Sequence, residues 1–127
     1  MRLHHAAVVC RSRDNAERFY GEILGLQHMK TGTLEPTLAE QIFDIACECQ
    51  FMLFGNEQFA VEIFIPNTDE QKALSFEHLC LEVTNRVQFA EKCETQGLEV
   101  KRITRGDTQL IFVRDFDGNL FEIKESA

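Results

Sequence analysis

A chain of 127 residues holds one domain, or two half-size modules sharing a core, and leaves no room for two independent domains. With 44% hydrophobic and 27% charged residues it has a globular composition, and 11 Phe against no Trp and one Tyr point to a core filled by phenyl rings. The net charge of −8, with 13 Lys and Arg scattered among 21 acidic residues, excludes a nucleic-acid backbone as partner, since that takes a basic stripe.

The opening MRLHHAAVV lacks the long apolar run and small-residue cleavage site of a secretory signal, and no stretch reaches the ~18 apolar residues of a membrane span. The expectation is a cytoplasmic protein with no membrane partner. Five cysteines at irregular spacing, Cys10, Cys47, Cys49, Cys80 and Cys93, read as reduced thiols rather than a disulfide framework. Cys47 and Cys49 would share a strand face, but no second pair is near enough in sequence to complete a zinc knuckle.

Residues 3–9 read as a strand. Apolar positions at 16, 19, 20, 23 and 24 then give helical spacing, and Gly25 supplies the stop. An insertion follows around LEPTLAEQIFDIA, where Pro36 marks a short helix start. QFMLF and FAVEIFI are apolar strands on either side of a turn at Gly55-Asn56. From Phe76 the plan recurs. FEHLCLEV is a strand, VQFAEKCETQ is a helix closed by Gly97, and QLIFV and NLFEIK flank the turn Asp117-Gly118-Asn119. The interval from His5 to Gly25 is 20 residues and that from His78 to Gly97 is 19, an agreement that points to an internal repeat. Each half therefore reads β-α-β-β-β.

Four residues recur in this plan. A histidine opens each half, His5 and His78, and a glutamate flanked by large apolar residues closes each, Glu62 and Glu122. On a strand over residues 3–9, His4 and His5 point to opposite faces, and only His5 joins Ala7 and Val9. A carboxylate on a half-buried strand is either turned to solvent or neutralised, and a metal ion would neutralise both glutamates. Two imidazoles and two carboxylates balance a divalent cation and suit Zn, Ni, Co, Mn or Fe(II). On an octahedral ion they leave two positions for a substrate with neighbouring oxygens. One of the carboxylates can serve as general base, and the spacing does not tell which.

These residues carry a resemblance to the vicinal oxygen chelate superfamily, which includes glyoxalase I, extradiol dioxygenases, methylmalonyl-CoA epimerase and the fosfomycin and bleomycin resistance proteins. HHAAVVCRSRDNAERFYGEILGL resembles its opening strand and helix, FEHLCLEV its third-ligand strand, and IFVRDFDGNLFEI its closing hairpin, with Phe116 where the family has Pro. The resemblance implies an α+β fold: paired βαβββ modules, 1–66 and 75–126, forming a cupped, mostly antiparallel sheet around a metal site in a single domain, 1–127. Glyoxalase I is similar in offering His, Glu, His, Glu, which map onto His5, Glu62, His78 and Glu122. That resemblance implies a divalent-metal-dependent lyase or isomerase acting on a small vicinal-oxygen substrate, with Glu122 as catalytic base. The Arg of glutathione-using members falls on Val9 and their Asn on Pro66, with Asn67 next door, so the resemblance leaves open whether glutathione is a co-substrate.

Arg105 and Arg114 are candidate anion anchors, His4 an outward residue and His28 a loop residue. Cys80 shares the face of His78 and either lines the site or fills the core, with the core as the expectation. Two other functions fit the same fold: a metal-free small-molecule binder of the bleomycin-resistance type, and an iron-dependent extradiol dioxygenase in which Glu62 is not a ligand. A homodimer is expected, because a short chain with open sheet edges leaves surface to cover.

Overall fold

Side-chain alternation along short strands organises both halves of the chain, which the computed structural model describes over residues 3–68 and 77–126. They fall into two units, Met1–Lys72 and Ala73–Ala127. The fold is α+β, with a four-stranded sheet in each unit and, among the described residues, eight strands and three helices in βαβββ arrangement.

Unit 1 runs β1 (Ala6–Val9), helix α1, β2 (Gln27–Leu34), α2 (Pro36–Phe43), β3 (Cys49–Gly55) and β4 (Ala60–Pro66). The sheet order is β1-β4-β3-β2, with β1 parallel to β4 and the other pairs antiparallel. Ser12 starts α1, its Oγ accepting from the Asn15 N–H at 3.1 Å and satisfying one of the donors left over at a helix start. One α-helical turn, Arg13–Ala16, then widens into a π-helical segment, Glu17–Ile23. The Leu24 N–H donates to the Phe19 carbonyl five residues back, at 2.9 Å. Phe19 and Tyr20, neighbours in sequence, are both buried, with their rings edge to face at 4.9 Å. Gly25, at φ +70, ends the helix in a conformation that a Cβ would strain.

The helix covers one face of its sheet. Met52 and Phe54 of β3 and Val61 and Ile63 of β4 are buried there, Tyr20 lying over Phe54 at 6.2 Å between rings. The alternate residues Phe51, Leu53, Glu62 and Phe64 turn to the other face and keep partial exposure. Helix α2 forms on the expected insertion. Pro36 stands in its first turn, where no N–H is needed, and Asp44 closes it at φ +59.

Unit 2 repeats the plan as β5 (Leu79–Val83), α3 (Arg86–Thr95), β6 (Val100–Arg105), β7 (Thr108–Arg114) and β8 (Leu120–Glu125), in the order β5-β8-β7-β6. Asn85 caps α3 by accepting from the Gln88 N–H at 3.0 Å, and Gly97, at φ +86, follows its end. Ile111, Val113, Phe121 and Ile123 form the buried face. No helix separates β6 from β7, which meet at a tight turn around Gly106. The β7–β8 connection is held by Asp115, whose buried carboxylate accepts from the N–H groups of Asp117 and Asn119 and from the Asn119 side chain, all within 2.9 Å. These bonds fix the turn around Phe116.

Both opening strands are shorter than expected. β1 begins at Ala6 rather than at residue 3, and β5 at Leu79, with Phe76 outside the described residues. The reason is the ladder: β1 pairs with β4 at the edge of its sheet, and that pairing starts at Ala6 opposite Val61, next to the first residue of β4. β5 likewise starts at Leu79 opposite Phe121. His5 and His78 therefore stand just ahead of their strands.

Candidate metal-binding residues

In unit 1 the parallel ladder pairs Ala7 with Glu62, and His5, two residues before Ala7, reaches the same carboxylate: His5 Nε2 lies 3.7 Å from Glu62 Oε2. In unit 2 Cys80 pairs with Glu122, and His78 Nε2 lies 3.9 Å from Glu122 Oε2. All four side chains are partly open, from 19% exposure for Glu122 to 42% for His78. Each glutamate sits on the sheet face opposite the helix, between buried neighbours on its own strand: Val61 and Ile63 flank one, Phe121 and Ile123 the other.

The donor set suits a metal ion. Two ligand atoms bound at about 2.0–2.2 Å to one ion lie about 3 Å apart when adjacent in an octahedron and about 4 Å apart when opposite, so separations of 3.7 and 3.9 Å fall within reach of a common ion. Imidazole nitrogen and carboxylate oxygen are also the mixed ligands that transition metals accept.

His4 is exposed, as an outward residue would be, and its ring also meets that of His5. Because the strand starts at Ala6, alternation does not govern the His4-His5 pair, and their Nδ1 atoms lie 3.0 Å apart with the rings edge to face. One nitrogen donates and the other accepts, which leaves His5 Nε2 turned towards Glu62 and fixes the ring. The signal was the His-His dipeptide itself. Residue 77, at the matching place in unit 2, is Glu.

Cys80 is exposed on the face of His78 and Glu122, which corrects the expectation that it fills the core. The core thiol of unit 2 is Cys93, 0% exposed, whose burial pushes its pKa up to about 11. Arg114 is engaged in the β7–β8 turn: its guanidinium donates to the Gly118 carbonyl at 2.7 Å and lies 4.0 Å from Glu99. Arg105 is exposed at the β6–β7 turn. His28 lies on β2 rather than in a loop, stacked on Phe54 at 5.0 Å and bonded to Thr31 at 2.6 Å. Among the described residues, no helix is long and apolar enough to cross a membrane.

The family model of the glyoxalase/bleomycin resistance protein/dioxygenase superfamily matches residues 4–113. Among solved structures, a glyoxalase family protein from Bacillus cereus is similar at 16% identity and a TM-score of 0.77, over 98% of this chain and 93% of that one. The fosfomycin resistance protein FosX from Listeria monocytogenes is similar at 17% identity and a TM-score of 0.72, again over 98% and 93%. A further structure of that FosX, complexed with Mn(II) and a sulfate ion, gives 16% identity and a TM-score of 0.69 over 98% and 92%. No curated protein sequence matches.

Proposed function

The chain belongs to the glyoxalase/bleomycin resistance protein/dioxygenase superfamily, and from that premise we propose that it is a glyoxalase-like, divalent-metal-dependent lyase or isomerase acting on a small substrate with neighbouring oxygens. The observation that carries this reading is the repeated His–Glu pair: each unit sets one imidazole and one carboxylate within 4 Å of each other, at the same place in its ladder. In the proposal His5, Glu62, His78 and Glu122 share one ion, whether the units pair within a chain or across a homodimer. Zn, Ni, Co, Mn and Fe(II) all accept such a set. The similarity to a FosX solved with Mn(II) supports a metal at this fold.

When bound, the ion supplies Lewis-acid stabilisation of the negative charge that develops on a substrate oxygen. The chain supplies the proton acceptor. Glu122 takes a proton from the substrate carbon on one carboxylate oxygen and returns it at the neighbouring position, while the His4–His5 contact holds one imidazole in place. Phe121 and Ile123, buried on the opposite face, anchor the strand that carries Glu122.

Metal titration of purified protein tests the reading first. Stoichiometric binding of Mn(II), Zn(II) or Ni(II), reduced in His5→Ala and in His78→Ala alike, is the expected result. Folded protein with no affinity for any of these ions would hand the reading to a metal-free binder. Oxygen consumption with a catechol, together with metal binding unchanged in Glu62→Gln, would instead point to a dioxygenase.

A further inference from the structure

Beyond the Glu62 row, the open face of the unit 1 sheet runs into an apolar cavity of about 230 Å³. Its floor is the sheet itself. Val9 pairs with Phe64, and Leu34 with Cys49, all on the face that carries Glu62. Its roof is the inserted helix α2, which contributes Ala39 and Phe43, with the Phe43 ring edge-on to Phe64 at 5.3 Å. No lining side chain is charged, hydroxylated or an amide. The two thiols at its edge turn their hydrogens to backbone carbonyls, Cys47 to Glu48 and Cys49 to Gln50.

We propose that this cavity is the specificity pocket of the site and takes an uncharged apolar group, an aromatic ring or a branched alkyl chain, carried by the oxygen-bearing substrate. The placement follows from register. Ala7, which lines the cavity, pairs with Glu62, and Phe64 is the next residue along that face, about 7 Å on at strand rise. A ligand whose oxygens sit at the His5–Glu62 pair therefore directs a short substituent into the cavity. Size agrees, since an apolar cavity of about 150 Å³ already accepts benzene, and 230 Å³ leaves room for a ring with a short linker. A polar or charged substituent would lose its water there without finding a partner. The second unit shows the contrast: the positions equivalent to Val9 and Phe64 are Glu82 and Lys124, paired with each other and exposed, and among the described residues unit 2 has no helix in the place of α2.

The inference rests on the metal-site reading for the head of the ligand and on the cavity alone for its tail, and the two are separated by experiment. The probes are acetohydroxamate, hexanohydroxamate and benzohydroxamate, vicinal-oxygen chelators that differ only in the tail, titrated against the Mn(II)-loaded protein. Benzohydroxamate and hexanohydroxamate are expected to bind about 10- to 100-fold tighter than acetohydroxamate from apolar burial. Val9→Glu, which copies the charge of Glu82 at a partly exposed position, should abolish that preference, read as the ratio of the longer probes' affinities to that of acetohydroxamate in the same variant. Ala39→Leu, which fills the cavity from the roof, should do the same by bulk. Equal affinity for the three probes, or a preference that survives both variants, overturns the proposal. If the protein takes up no Mn(II), the metal reading has failed; if it does and no hydroxamate binds, the placing of the ligand's oxygens has failed; in either case the cavity is judged by toluene alone, followed by amide chemical shifts. Shifts at Val9, Leu34 and Ala39 that disappear in Val9→Glu sustain a ligand pocket, and their absence rejects it.

Discussion

The two units carry the same ladder with different chemistry built onto it. In both, a histidine precedes an opening strand, and a glutamate on the closing strand pairs with the residue two after that histidine. In both, an asparagine or serine caps the helix and a left-handed glycine follows it. The units part beyond the glutamate, where the first has Val9 against Phe64 under a helix and the second has Glu82 against Lys124 in the open. They part again in the core. Phe54 faces Val61 in the first sheet, whereas Val113 faces Phe121 at the matching pair of the second, so large and small have changed strands. A repeated backbone thus fixes where the histidine and glutamate positions fall, while the side chains around them are free to diverge.

The largest expected effect asks whether the two glutamates are equivalent. In the mechanism proposed above, Glu122→Gln, which keeps the side-chain shape but accepts no proton, should lower turnover by about 10²- to 10⁴-fold, at least ~10-fold more than Glu62→Gln. The measurement is the rate on substrates found by screening α-oxoaldehyde–thiol adducts and other vicinal-oxygen compounds, with metal affinity followed in parallel. Equal losses in the two variants would withdraw the assignment of Glu122 as sole base, and a fully active Glu122→Gln would end the lyase mechanism.

The core comparison comes next. Phe54→Ala and Phe121→Ala, each emptying a fully buried site, should cost about 3–5 kcal/mol of stability by denaturant unfolding. Phe54→Val alone leaves a cavity, and adding Val61→Phe reproduces the arrangement of the second unit. The double variant should recover part of the loss; a double variant less stable than Phe54→Val would show that the swap is locked by Tyr20 and His28 around Phe54.

Smaller effects belong to the helix caps. Ser12→Ala and Asn85→Ala each release one backbone donor and should each cost about 1 kcal/mol. Similar losses in thermal unfolding support equivalent caps, and a loss confined to one unit would show that the other helix is held by packing alone.

The smallest effect is silent at neutral pH. Burial raises the Cys93 thiol from its ordinary 9.0 to about 11, so the folded state favours the neutral thiol. With the folded value above the unfolded one, this contribution to stability is fully present below pH 9 and is lost as pH rises towards 11. Cys93→Ala should flatten the decline of stability over that interval, and Cys93 should resist alkylation at pH 8 in the folded protein. Rapid labelling at pH 8 would contradict its burial.

The sequence by itself determined the repeat, and with it most of the strand and helix plan. The evidence lay in spacings that local physics reads directly: apolar residues at helical intervals before Gly25 and Gly97, and alternation around Glu62 and Glu122. β2 and β6 left little trace. QHMKTGTL and VKRITR are edge strands with mostly exposed side chains, and only neighbouring strands hold them extended. The four candidate ligands were legible because a histidine and a glutamate recur at matching places. The contact of His4 with His5 was not, since it depends on where the parallel ladder runs out. Tertiary structure alone decided the cavity under α2. Its walls come from β1, β2, β3, β4 and the insertion, and no local pattern records that Ala39 and Phe43 close over Val9 and Phe64. Periodicity shows which face a residue takes on its own element, and only packing shows what stands opposite.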